Sequence, residues 1–225
     1  MAAGNSVHDE IREQQKKLKG KSFREKWDYF WEYYRIHTIV IICSVAALIS
    51  IVHSIASQKD PALDVALVNT YLNQDLDPEA VCADFEQYAQ VDTDEYQVTI
   101  TTNMDINYEE TDQYSYTNLQ KLTAMAAART LDVVISNDAY IDHNMESGIF
   151  YDLREYFTEE ELARYEDRLL YRDLSDDEEG EIPIAIDVRD SKYMITDQIP
   201  AWYCITSTAQ NIENAKLFLE YLLLP

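Results

Sequence analysis

Nineteen consecutive residues, Thr38 to Ala56 (TIVIICSVAALISIVHSIA), contain no Asp, Glu, Lys or Arg. As a helix rising ~1.5 Å per residue, such a run spans roughly 28 Å, close to the hydrocarbon thickness of a bilayer. Its one titratable side chain, His53, lies near an end, where water is in reach. The flanks are unequal. Arg12, Lys16, Lys17, Lys19, Lys21, Arg24, Lys26 and Arg35 precede the run, and only Lys59 follows closely. The positive-inside rule then keeps the N-terminus in the cytoplasm and sends the C-terminal part outside. Phe23, Trp27, Phe30, Trp31 and Tyr34 fall at helical spacing just before the run. This aromatic stripe suits the membrane interface, before the chain turns into the bilayer.

Other accounts of the run stay open. Ser54-Ile55-Ala56 offers a small-x-small cleavage site for a signal peptide, although the charged region before it would be unusually long. A lipid-modified Cys43 would need a small residue before it, and Ile42 stands there. A buried helix of a soluble protein would leave the basic and aromatic flanks unexplained.

The order expected is a basic and aromatic cytoplasmic segment (1–37), a transmembrane helix (38–56), a linker (57–62) and an extracytoplasmic α/β domain (63–225). Of the formal charge of −24, residues 1–37 carry a net +2 and residues 57–225 a net −26. So acidic a domain repels phosphate backbones, which excludes nucleic acid as a partner. The chain has 4 glycines (Gly4, Gly20, Gly148, Gly180), so no Gly-rich phosphate loop can be built. Cys82 and Cys204 have no C-x-x-C spacing. They are either a disulfide pair or two small buried hydrophobes, and the sequence leaves both readings standing.

Beyond the linker the elements are legible. Leu63–Thr70 is an apolar strand. Asp77-Pro78 opens a helix whose face is Val81, Cys82, Phe85, Tyr88 and Ala89. Tyr96–Thr102 is a β-branched strand, and residues from Gln113 to Arg129 form a helix striped by Leu119, Leu122 and Ala126. Leu131–Ser136 is a third strand, followed by a short helix from Asp138 to Glu146 that ends near Gly148. Strands alternating with helices predict a mostly parallel sheet. Further on, Thr158 and Glu161 make a capping box for a helix carrying Leu162, Tyr165 and Leu169. Ile182–Val188 and Trp202–Thr206 read as strands, and a last helix from about Ala209 to Leu223 buries Ile212, Ala215, Phe218, Leu219 and Leu222.

The stretch LDVVISNDAYIDHNMESGIFYDLREYF, with Gly148 to Leu153 in a G-x-x-x-D-L arrangement, resembles extracellular solute-binding proteins of bacterial ABC importers. NIENAKLFLEYLL is similar to that family's A-x-x-F-L-x-x-L helix, here Ala215, Phe218, Leu219 and Leu222, and LDVALVNT matches its first strand. The basic, aromatic N-terminus with its anchor resembles membrane proteins of Clostridia-type Gram-positive bacteria that carry such a domain. The resemblance implies one lobe of a periplasmic-binding-protein-like fold. It departs from the family in lacking most of a second lobe, and in a transmembrane helix where the family carries a lipid-anchoring cysteine.

In open α/β sheets, ligands sit beyond the carboxyl ends of the strands. The residues expected there are Asn69 and Tyr71 after the first strand, Asn103 after the second, and Ser136, Asn137 and Asp138 after the third. Asp187 and Trp202 join from the second half. Amides and hydroxyls would bond a solute and the aromatics would stack on it. A plainer account is that Asn, Ser and Asp are turn and cap residues at such positions.

Catalysis finds little footing. His143 is the one histidine of the large domain, and no H-E-x-x-H or Cys/His metal pattern occurs, so the expectation is a non-catalytic protein without cofactor or bound metal. Asp176-Asp177-Glu178-Glu179 lacks the spacing of a calcium loop and reads as a solvated charge run. Two functions remain. One is a membrane-tethered domain that binds or senses a small ligand. The other is an interaction module that has lost its pocket and docks on a membrane or envelope protein through exposed tyrosines.

Overall fold

The computed structural model describes residues 22–56, 59–110, 112–173 and 180–224. The basic segment 1–21 and the charge run Asp176–Glu179 lie outside the described residues. The chain divides into two compact units, Met1–Gln58 and Lys59–Pro225.

In the first unit, helix α1 runs unbroken from Phe23 to Ala56. The aromatic stripe and the apolar run are therefore one helix, with no turn between them. At ~1.5 Å per residue its 34 residues extend roughly 51 Å, longer than the hydrocarbon core alone requires. Within α1, Tyr34–His53 has a mean hydropathy of 2.3 and no buried share, which makes it long and apolar enough to cross a membrane. Trp27 stacks on Trp31 with ring centroids 6.4 Å apart. All of Phe23, Trp27, Phe30 and Trp31 are exposed.

The second unit is a six-stranded sheet with helices on both faces. Its strands are β1 (Asp60–Val68), β2 (Tyr96–Met104), β3 (Val133–Ser136), β4 (Leu169–Arg172), β5 (Ile182–Asp187) and β6 (Trp202–Ile205), in the spatial order β2-β1-β3-β6-β5-β4. The helices are α2 (Pro78–Tyr88), α3 (Gln113–Ala127), α4 (Asp138–Asn144), α5 (Glu159–Ala163) and α6 (Ile212–Leu222). Strand β1 starts at Asp60, so Asp60, Pro61 and Ala62 belong to the sheet and not to a linker.

The β1–β2 and β1–β3 pairings are parallel, as the strand–helix alternation requires. The other half differs from a parallel sheet: β3–β6, β5–β6 and β4–β5 are all antiparallel. No helix lies between Ile182–Asp187 and Trp202–Ile205, so the chain returns along its neighbour without the crossover a parallel pair needs. The sheet is mixed.

Strand periodicity sorts the core into two layers. Leu63, Val65 and Leu67 of β1 face Val81 and Phe85 of α2 and Ala215, Phe218 and Leu219 of α6. Ala66 and Val68 face the other way, with Leu122 of α3 and Tyr140 and Ile141 of α4. Cys82 packs in the first layer and Cys204 in the second, on opposite faces of the sheet, and both are free thiols. The disulfide alternative is therefore excluded. Burial pushes the Cys82 thiol up to about 11.

One element differs from the sequence expectation. The Thr158–Glu161 capping box forms, but its helix stops at Ala163. Leu169 begins β4, with Leu169 and Leu170 paired to Ile186 and Ala185. Pairing to β5 and burial of Leu170 outweigh the helical spacing that linked Leu162, Tyr165 and Leu169.

Candidate functional site

Strands β1, β2 and β3 deliver their carboxyl ends to one edge of the unit, but the residues expected there do not form a single cluster. Asn69 leaves β1 in the left-handed region (φ +54°), where Asn is tolerated better than most residues. Its amide donates to the Ile106 carbonyl (2.9 Å) and accepts from the Ile106 N–H (2.7 Å). Both ends of the amide are thus spent on locking the turn after β2. The Tyr71 hydroxyl donates to Asp105, and this bond, with burial, pushes the phenol up to about 12.

Asn103 also has a left-handed backbone (φ +59°); its carbonyl accepts from the Tyr114 hydroxyl (2.7 Å) and its amide reaches Thr102 Oγ1 (3.3 Å). Tyr71 and Asn103 face a shared groove of about 260 Å³ beside the ends of β1 and β2, completed by Leu72, Gln74, Thr102 and Ile195 among others. None of its lining side chains is charged.

The remaining residues gather in a row across β3, β6 and β5. Ser136 pairs in register with Trp202, and Trp202 with Asp187. The Trp202 indole donates to Asp138 Oδ1 (2.8 Å), and the Arg189 guanidinium lies 5.4 Å from the Trp202 ring centroid. Arg189 Nε also donates to Asp187 Oδ2 (2.7 Å). Arg168 forks onto Asp190 (2.6 and 2.8 Å) and reaches the Asp187 carbonyl (3.1 Å). That fork holds the Asp190 carboxyl below its usual range. Asn137 is the N-cap of α4, accepting from the Tyr140 N–H (3.1 Å). Ser136 is fully buried, and among the described residues its hydroxyl has no partner.

Sequence reasoning missed Arg168, Arg189, Asp105 and the connection 188–201. Each Arg meets its partner only through the fold of the chain around β4, β5 and β6, a signal that local periodicity does not carry. The connection crosses to β1. Leu72 bridges to Met194, Ile195 N–H donates to the Tyr71 carbonyl (3.1 Å), and Asn73 N–H donates to the Tyr193 carbonyl (2.8 Å). The chain thereby lays its own backbone against the segment that leaves β1.

His143 lies on α4 with its ring stacked on Tyr108, centroids 3.6 Å apart. Among the described residues, no group of three or more His, Cys, Asp or Glu is placed to hold a metal ion. Comparison with protein-family models, with curated proteins and with solved structures finds no match to the chain.

Proposed function

We propose that the protein is a single-pass membrane protein that presents the unit Lys59–Pro225 outside the cell to bind or sense a small neutral solute. The observation that carries the reading is the uncharged groove beside β1 and β2. There Tyr71, Asn103, Thr102 and Gln74 set amides and hydroxyls around Leu72 and Ile195. Neutral hydrogen-bonding groups with an aromatic edge suit a polyol, a sugar or a zwitterion of similar size. Topology follows from the basic residues ahead of α1 and their scarcity after it.

The test is thermal unfolding of the full chain in lipid nanodiscs with millimolar neutral sugars and amino acids. A binding solute raises the midpoint, because ligand that binds only the folded state stabilises it by mass action. The exposed Gln74→Ala removes that rise without lowering the ligand-free midpoint. No rise with any neutral solute sinks the reading. External protease added to intact cells should degrade the large unit while sparing α1. Full protection of the large unit refutes the topology.

A second reading, a docking module for a membrane or envelope protein, is favoured by one observation. Asn69, Asn137, Asp138 and Asp187 are all hydrogen-bonded within the unit and offer a ligand little. Crosslinking in native membranes separates the two: a defined protein adduct together with no solute-induced stabilisation selects the docking module.

A further inference from the structure

Helix α1 begins well before its apolar window. Residues 23–33 precede Tyr34–His53 on the same unbroken helix. Counted back from Tyr34 at ~1.5 Å per residue, Trp31 lies about 5 Å, Trp27 about 10 Å and Arg24 about 15 Å along the axis. A headgroup layer is roughly 5–8 Å deep, and the potential of a charged membrane surface reaches about 8 Å further at physiological salt. With the window in the hydrocarbon, the stretch from Arg24 onward is therefore within reach of lipid headgroups.

At about 100° of rotation per residue, Phe23, Trp27, Phe30, Trp31 and Tyr34 fall within roughly 100° of the helix circumference. Arg24 and Arg35 border this stripe on the side of Trp31. Both are exposed, and among the described residues neither is in an ion pair. An open hollow along the same flank is bordered by Trp27, Trp31, Arg35 and, further round the helix, Glu32. Residues 12–26, which run into α1, hold 7 basic and 2 acidic side chains.

We propose that this end of α1 holds acidic phospholipids of the cytoplasmic leaflet, with Arg24 and Arg35 on the headgroup phosphates and Trp31 packed at the glycerol level below Trp27. The proposal rests on the reading of α1 as the membrane span. A guanidinium forks onto phosphate oxygens, and indole rings favour the boundary between headgroup and hydrocarbon. Charge decides the class of lipid. A zwitterionic headgroup adds an ammonium that the arginines repel, whereas an acidic one presents its phosphate without that cation. Charge also decides against a second copy of the chain on the stripe. Two copies inserted the same way lie parallel, which sets Arg24 beside Arg24 and Arg35 beside Arg35.

The test reconstitutes the full chain in phosphatidylcholine vesicles with a trace of spin-labelled phosphatidylglycerol or spin-labelled phosphatidylcholine. Electron paramagnetic resonance then resolves lipid held at the protein from free lipid. One basic side chain near an acidic surface favours association about fivefold, and averaged over the ring of lipid around α1 a preference of about threefold for phosphatidylglycerol is expected. Residues 57–225, with a net −26, repel that lipid, so the preference cannot come from them. Arg24→Gln combined with Arg35→Gln should at least halve the preference and leave the held phosphatidylcholine unchanged. Salt at about 1 M, which shortens the screening length to about 3 Å, should lower it as well. Equal retention of the two lipids by the native chain, or an unchanged preference in the double variant, would overturn the proposal. So would Förster transfer between labelled copies that is lost in Trp27→Ala combined with Trp31→Ala, since that assigns the stripe to a second copy. Retention of neither lipid would take α1 out of the bilayer, and the membrane reading would fall together with the proposal.

Discussion

The two halves of the sheet solve the same problem in different ways. In the parallel half, β2-β1-β3, each strand is joined to the next by a helix, and the order is held by apolar layers above and below. In the antiparallel half, β6-β5-β4, short strands lie side by side, and charged pairs such as Arg168–Asp190 and Arg189–Asp187 tie their ends. Exposed ion pairs contribute about 0–1 kcal/mol each, and Ile184, Ile186, Tyr203 and Ile205 of the antiparallel half share the same two apolar layers, so stability should reside in those layers rather than in the charged pairs. The largest mutational effect is expected there. Phe85 is fully buried, with Phe218 edge-on at 4.9 Å and Tyr221 at 5.5 Å. Phe85→Ala should cost about 3–5 kcal/mol in urea unfolding of the full chain. Arg168→Ala in the other half should cost under about 1 kcal/mol. Equal losses would break the comparison.

The seam between the halves is Asp132, which is fully buried. Its carboxylate accepts from the N–H groups of Asp64 (3.1 Å), Gln210 (2.7 Å) and Asn211 (3.0 Å), and from Asn211 Nδ2 (3.0 Å). It joins β1, the entry to β3 and the start of α6. Hydrogen bonds to a charged group contribute about 1.5–3 kcal/mol each, and Asp132→Ala strands several donors at once. A loss of about 3 kcal/mol is expected from the same unfolding curves, close to that of Phe85→Ala. A loss under about 1 kcal/mol would show that the halves are held together elsewhere.

Beside it, Asp64 sharpens the comparison through pH. Burial, then the neighbouring Asp132 carboxylate, raise its carboxyl to about 6, and Lys121 opposes them. One of its oxygens is buried without a partner among the described residues. A carboxyl whose folded pKa exceeds its unfolded one favours folding while protonated. That contribution is complete below about pH 4 and is lost as pH rises through about 6, a change on the order of 2 kcal/mol. Asp64→Asn keeps the neutral form at every pH. The stability difference between variant and native chain should therefore grow in the variant's favour from pH 4 to pH 7, measured by urea midpoints across that range. A difference that does not change with pH would remove Asp64 from the seam's electrostatics.

Legibility divides along the same line. In the parallel half, Asp77-Pro78, β-branched Tyr96–Thr102 and the apolar alternation of β1 are local signals, and local signals placed those elements within a few residues. The antiparallel half depends on distant partners. Leu169 looks helical until Ile186 pairs with it, and Arg189 shows its part only once the fold brings the Trp202 ring to it. The groove was legible in part: Tyr71 and Asn103 were named, whereas Gln74 and Ile195 reach it through a turn and through the connection 188–201. Asn69 takes the turn role that its residue type equally allowed, because a left-handed strand exit turns its amide back onto the backbone of Ile106.

The smallest expected effect separates a cap from a ligand residue. Asn137 caps α4 in the parallel half, and Thr158 caps α5 in the antiparallel half. Loss of a side-chain N-cap costs about 1 kcal/mol. Asn137→Ala and Thr158→Ala should thus destabilise alike, and neither should alter solute binding at the groove of Tyr71 and Asn103. The Thr158 hydroxyl also donates to Glu161 Oε2 (3.0 Å), so its loss removes a second side-chain bond and should be slightly the more costly. If Asn137→Ala instead weakens solute binding without loss of stability, its amide belongs to the site after all. The row from Ser136 to Asp187 would then be part of the binding surface rather than the clasp of the antiparallel half.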